Sequence, residues 1–454
     1  MAHFDLLVRG GEVVFRDKVT IADIGVIDGK FAEIGPELTG TARREVDAGR
    51  HLVFPGVIDP HVHFNEPGRG DWEGWASGSA GLASGGGTTC LEMPLNAHPP
   101  TLDRASFMAK VAVASASSRV DFGLWGGLTP DNLDHLEALA ECGVIGFKAF
   151  MSSSGMDDFR HADDATLYQG MRTAARLGLP VAVHAENDGI TADLAGRARA
   201  NGQLTARDYL DSRPVVAEIE AIRRAITLAA DAGCALHLVH VSGGSGVGVV
   251  AEARAEGVDV TCETCPHYLF FTGDDVERIG PLAKCAPPLR DEAVREALWS
   301  AVIKGDVDFI GSDHSPAPPS MKTGDDFFSI WGGISGCQHL LAATITGFGL
   351  HTLDAFEVAR LLSANTAARF RLNGKGAIAV GNDADFTWGE MQAPASLPVE
   401  GVRYRHPASI WDEVEFRYRT MGTAMRGRVV VEHGRLTNER PGRLVTQGST
   451  HHAV

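Results

Sequence analysis

Eight short, almost wholly apolar runs recur through the middle of the chain, at 53–59, 88–93, 120–125, 144–150, 179–184, 236–241, 258–262 and 307–312. Longer stretches of helical pattern lie between them, such as Asp164–Leu177, Val215–Ala232 and 291–304. A strand that is apolar at nearly every position is buried on both faces, as in a parallel sheet covered by helices. Eight such strand-and-helix units over this length predict a TIM (β/α)8 barrel.

The two ends read differently. Residues 4–14 suggest a short strand, a Gly10-Gly11 turn and a second strand, and 21–34 continue the texture with a turn at Asp28-Gly29. Similar patterning returns at 377–386 and 427–431. The expected architecture is therefore α/β, a TIM barrel with a small β-sandwich domain formed by the N- and C-terminal segments. Its divisions are 1–52 (sandwich), 53–374 (barrel) and 375–454 (sandwich and tail). The polar tail from Pro441 is expected to be loosely held.

Composition narrows the function. A formal net charge of −17 argues against a nucleic-acid or anionic-membrane partner, which would favour a basic surface. No stretch approaches the ~20 charge-free apolar residues that span a bilayer. Met1-Ala2-His3-Phe4-Asp5 has an early acid and no long apolar core, unlike a signal peptide. The seven cysteines, an odd number set in apolar segments, fit reduced thiols, and the expected compartment is the cytoplasm.

Polar residues cluster where the apolar runs end. Asp59-Pro60-His61-Val62-His63 closes the first run, and alternation along an extended chain turns both imidazoles to one side. Lys148 sits inside the run 144–150, where an ammonium is costly to bury and desolvation favours the neutral amine. His184 and His240 end the fifth and sixth runs, and Asp313 follows the eighth. Each has a bland alternative: satisfied histidines, or a lysine reaching to the surface. Their recurrence at one end of strands, where barrels place their active sites, favours a shared site. Imidazole with carboxylate suits zinc, iron, cobalt or manganese better than calcium.

Together, Asp59-Pro60-His61-Val62-His63, Gly146-Phe147-Lys148, His184-Ala185-Glu186-Asn187, His240-Val241-Ser242 and Asp313-His314-Ser315-Pro316 resemble the amidohydrolase superfamily, in its branch of dihydroorotases, hydantoinases and allantoinases. The resemblance covers about residues 3–435. It implies two divalent metal ions per subunit, zinc foremost with Fe2+, Co2+ or Mn2+ as alternatives. One ion would be held by His61, His63 and Asp313 and the other by His184 and His240, bridged by a carboxylated Lys148. Asp313 would also move the proton of the attacking water. The resemblance further implies a homotetramer.

Within the branch, Asn65 stands where dihydroorotases carry an arginine for the substrate carboxylate, although Arg69 lies close by. Ser153 stands where hydantoinases carry a tyrosine. The segments 71–75, 92–96 and 331–338 resemble the allantoinases, implying a small neutral cyclic ureide substrate, allantoin opened to allantoate in ureide and purine degradation. By the same resemblance Asn96 and Ser315 would hydrogen-bond the ureide; the bland alternative is that they cap loops. Ala286 departs from the serine frequent in relatives. Dihydropyrimidinase, hydantoinase and dihydroorotase are the enzyme alternatives. A catalytically silent scaffold is the alternative from another class, and a full set of six ligand positions weighs against it.

Cys262-Glu263-Thr264-Cys265 lacks the second cysteine pair of a zinc ribbon and the thioredoxin-like context of a redox motif. Ser84-Gly85-Gly86-Gly87 lacks the lysine and spacing of a phosphate loop.

Overall fold

The computed structural model describes residues 2–49, 51–351 and 353–448. The eight apolar runs form a closed parallel barrel. Its strands are Val57–Val62, Gly87–Glu92, Asp121–Leu124 with its continuation Gly126–Gly127, Phe147–Phe150, Val181–His184, Leu236–Leu238, Val260–Thr264 and Phe309–Ile310. Seven parallel pairings link neighbours in chain order, the third strand being interrupted at Trp125. The seam between last and first strands has no regular ladder. It is closed by a single parallel bridge between Val62 and His314, and by the Asp59 carboxylate, which accepts from the Ser312 amide at 3.0 Å.

The helices follow from local chemistry. Asp163 caps Asp164–Leu177 by accepting from the Thr166 amide, and Gly178 ends it in the left-handed region at φ 67°. Val215–Ala232 presents Ala217, Ala221, Ile222, Ala225 and Ala229 at helical spacing and buries them against the barrel. Both helices span the residues expected of them.

The first apolar run proves to be two strands. Leu52–Pro55 belongs to an outer sheet and Val57–Val62 to the barrel, and the chain changes sheet at Gly56. A Cβ on Gly56 would lie 2.1 Å from the Thr88 hydroxyl, so the crossing admits no side chain. The outer sheet has nine strands drawn from both ends of the chain. Its order runs from Arg435–Leu436 through Arg428–Glu432, Phe416–Met425, Phe386–Ala395, Leu52–Pro55, Ala2–Val14 and Val19–Ile27 to Lys30–Gly35, with Gly40–Asp47 beside Ala2–Val14. Leu6, Val8, Ile24, Val26, Phe31 and Phe386 form part of its core.

Three expectations about the ends change. Gly10-Gly11 is not a turn: Ala2–Val14 is one strand, whose register slips between Val8 and Gly11. The glycines absorb a bulge, so the same strand pairs with Gly40–Asp47 before it and with Leu52–Pro55 after it. Residues 377–385 carry strand-like composition but form turns and irregular chain with one antiparallel bridge, Asp383 to Lys30, and the continuous strand begins only at Phe386. The segment after Pro441 is pinned rather than loose. The Arg443 amide donates to Asp121 at 3.0 Å, Leu444 bridges Phe122, and Val445 is buried. Residues 449–454 lie outside the described residues.

Candidate metal centre

His61, His63 and Asp313 meet across the barrel seam. Their ligand atoms all lie within 4.8 Å of one another, with His61 Nε2 3.3 Å and His63 Nε2 3.5 Å from the Asp313 carboxylate. Opposite them, His184 Nδ1 stands 3.1 Å from His240 Nε2, and the His61 and His240 ring centres are 5.4 Å apart. Lys148 lies among the two groups. Its charge acts on His63, His184 and His240, and Asp313 acts on it in turn. All six side chains singled out in the sequence thus converge, and all are buried.

The backbone is strained where these side chains are delivered. The sixth and eighth strands end earlier than their apolar runs, at Leu238 and Ile310. His240 and Asp313 then adopt left-handed conformations, φ 41° and 44°, which residues other than glycine seldom take. Such conformations cost roughly 1–3 kcal/mol each and cluster at functional sites. The turns redirect the two side chains inward after the strands have ended.

Protonation favours cation binding. Burial pushes the His63 imidazole down to about 4 and lowers His184 and His240 as well, leaving neutral rings with a free lone pair at pH 7. Burial would raise the Asp313 carboxyl, but the nearby His61, His63 and His240 outweigh it and hold it well below the usual range. Burial also brings the Lys148 amine down to about 7.

Two carboxylates unassigned in the sequence reading fix the ring orientations. Glu263 accepts from His61 Nδ1 at 2.5 Å and faces His237 Nε2 at 3.2 Å. Glu186 accepts from His184 Nε2 at 2.8 Å and is itself paired with Arg213. Each bond leaves the opposite ring nitrogen turned to the centre, the arrangement by which a carboxylate orients a metal-binding histidine. The overlooked signal for Glu263 was its position, an acid at the end of an apolar strand. The flanking Cys262 and Cys265 are free thiols, as are the other five cysteines. Replacing Glu263 with glutamine is expected to lower metal affinity or turnover roughly 10- to 100-fold, read by metal content per chain and initial rates; unchanged values would remove its orienting role.

These residues fit divalent ions. Four imidazoles and one carboxylate are a borderline donor set suited to zinc-like metals. Lys148 Nζ and His240 Nδ1 are buried without a hydrogen-bond partner among the described residues, as a site built for something further would leave them.

A cavity of about 90 Å³ opens over the histidines. Asn96 and Ser315 line it, with the Asn96 amide 3.3 Å from His63 Nδ1 and 3.5 Å from the Ser315 hydroxyl. Ser153, Ala286 and Trp331–Gly333 also stand in its wall, and no arginine among the described residues lines it. Arg69 is turned away: it donates to the Asn96 and Ala97 carbonyls at 3.2 and 3.0 Å and to Asp158 at 3.0 Å. No helix among the described residues is long and apolar enough to cross a membrane.

Residues 52–430 match the model of the amidohydrolase family. The chain is 57% identical over 446 residues to an allantoinase of Rubrobacter xylanophilus, covering 98% of each chain. It is 53% identical to an allantoinase of Solibacter usitatus, covering 97% of this chain and 96% of that one. Among solved structures it resembles an L-hydantoinase (dihydropyrimidinase) from Arthrobacter aurescens, with TM-score 0.94 and 35% identity over 98% of this chain and 100% of the other.

Proposed function

The chain belongs to the amidohydrolase family, and from that premise we propose that it hydrolyses allantoin to allantoate. It is a hydrolase acting on the C–N bonds of cyclic amides. The observation that carries the substrate is the cavity wall: beyond the histidines and Asp313 it offers neutral donors and acceptors and, among the described residues, no guanidinium. A ring bearing a carboxylate would enter without the bidentate partner it needs, whereas an uncharged ureide forfeits nothing. The ion pair that turns Arg69 away supports this reading over dihydroorotate. Ser153, in place of a phenol, supports it over the hydantoins.

The finer reading has two divalent ions per subunit, zinc foremost, with His61, His63 and Asp313 on one and His184 and His240 on the other. Lys148 would hold both after its neutral amine adds carbon dioxide, losing a proton to become a carbamate. When bound, such ions acidify water toward neutral pH and polarise a carbonyl. Asp313, whose carboxyl lies below the usual range and is therefore ionised at neutral pH, accepts the proton of the attacking water and delivers it to the ring nitrogen as the C–N bond breaks. Asn96 and Ser315 hydrogen-bond the ureide and set which carbonyl faces the attack. Seven unpaired thiols support a cytoplasmic setting. The assembly is a homotetramer, to be checked by light scattering.

A side-by-side assay of the metal-loaded protein on allantoin, dihydroorotate, hydantoin and dihydrouracil tests this function. Allantoin should be turned over fastest; faster opening of any other ring overturns the substrate. Chelation should abolish activity, divalent ions should restore it, and the thermal midpoint should fall in the stripped protein, because a ligand held only by the folded state stabilises it. Full activity after verified metal removal would overturn the metal requirement.

A further inference from the structure

We propose that Lys284 and Lys322 are positioning residues for substrate selection, clamping the loop that walls the cavity so that Gly333 and Ser315 keep a fixed place beside the ring. The inference rests on the proposed ring-opening reaction and adds to it two residues that touch neither the histidines nor the cavity.

Both amines are buried, and no carboxylate lies within 4 Å of either among the described residues. Uncompensated buried ammonium groups are costly, and a methionine would fill similar space without that cost. All but one of their hydrogen bonds go to a single short stretch of chain. Lys284 Nζ donates to the Phe328 carbonyl at 3.0 Å and to that of Ile330, and its charge lies 4.6 Å from the centre of the Tyr209 ring. Lys322 Nζ donates to the Gly333 carbonyl at 2.6 Å and, more weakly, to that of Pro281 at 3.4 Å. The segment 328–333 has no helix or strand to satisfy those carbonyls, so the two lysines supply the donors that a ladder would otherwise give.

The clamp transmits directly to the site. The Gly333 amide donates to the Lys284 carbonyl at 2.7 Å, so Gly333 is held from both sides. Gly333 has φ 149°, and a Cβ there would lie 2.2 Å from the Ser315 carbonyl oxygen. The loop therefore rests on the backbone of Ser315, two residues from Asp313, while Trp331 and Gly332 face the same cavity. Burial lowers both amines to about 7, in keeping with the expense of placing them there.

The test compares the metal-loaded wild type with Lys284→Met, Lys322→Met and Lys322→Gln. It measures kcat and KM for allantoin, metal content, and hydrogen exchange at the Trp331 and Gly333 amides. The methionine variants should exchange faster at those amides and raise KM tenfold or more, with metal content unchanged and kcat within about twofold, since small misplacements of a binding wall weaken substrate fit. Lys322→Gln keeps a donor and should recover part of the loss; it also carries the comparison should a methionine variant not fold. Unchanged exchange, or faster exchange with an unchanged KM, overturns the proposal. A wild type inactive on allantoin would instead overturn the substrate reading, and the exchange experiment would still judge the clamp.

Discussion

Replacing Lys148 with alanine is expected to cut allantoin turnover by roughly 10³-fold or more. The reasoning is electrostatic. The amine is buried, without a hydrogen-bond partner among the described residues, 4.9 Å from the centre of the Phe150 ring and within the field of Asp313. As a carbamate it would supply the negative charge that lets two cations sit close together. The charge stabilisation such ions give is worth several kcal/mol, and each ~1.4 kcal/mol is a factor of ten in rate. Metal content should fall below that of the wild type. The fold of the metal-free protein should survive, because alanine removes an unpaired polar group rather than a partner. Reactivation of stripped wild type should quicken with bicarbonate, and the alanine variant should not respond. A variant that keeps its metal and most of its turnover would sink the bridging role.

The largest stability effect is expected at Lys375→Met. This amine is buried among three carboxylates, 2.6 Å from Asp121 on the third barrel strand, 3.0 Å from Asp383 and 2.5 Å from Asp385. Arg426 joins the same group through Asp121. The aspartates alone would pass for a metal site, but the lysine already occupies their centre. Removing it strands buried anions and should cost roughly 3–5 kcal/mol, read as a lower denaturation midpoint. The pH dependence has a definite sign. Burial works against the Asp383 carboxylate, but Lys375 and Lys30 overcome it and hold its pKa at about 2, below the ordinary 3.8. Its contribution is therefore full above the unfolded value and is lost as pH falls from about 4 toward 2. Without Lys375 that depression shrinks, and acid unfolding should begin at higher pH. A variant as stable as wild type, with the same acid transition, would show that the cluster does not join the barrel to the outer sheet.

The barrel was legible because its signals are local and repeated. An apolar run ending in a histidine names both a buried strand and the end of it that matters, and Asp163 and Gly178 mark a helix by chemistry within one turn. The convergence of His61, His63, Lys148, His184, His240 and Asp313 followed from that one rule of position. What escaped depends on partners distant in sequence. Glu263 gains its meaning from His61, 202 residues away, and the cysteines on either side drew attention from it. Gly10-Gly11 has the composition of a turn, and only its pairing with two separate strands makes it a bulge. The tail beyond Pro441 is polar, yet Asp121 and Phe122 wait for it on a buried strand.

The outer sheet has a consequence for how the molecule is made. Leu52–Pro55 pairs with residues of Phe386–Ala395, about 330 positions later in the chain. At ribosomal speeds of 5–20 residues per second, that partner emerges roughly 20–70 s after the first strands. During this interval the early strands carry an open edge that invites wrong neighbours. Nascent chains should therefore be vulnerable to aggregation until the barrel is complete and its last segment returns to meet the first.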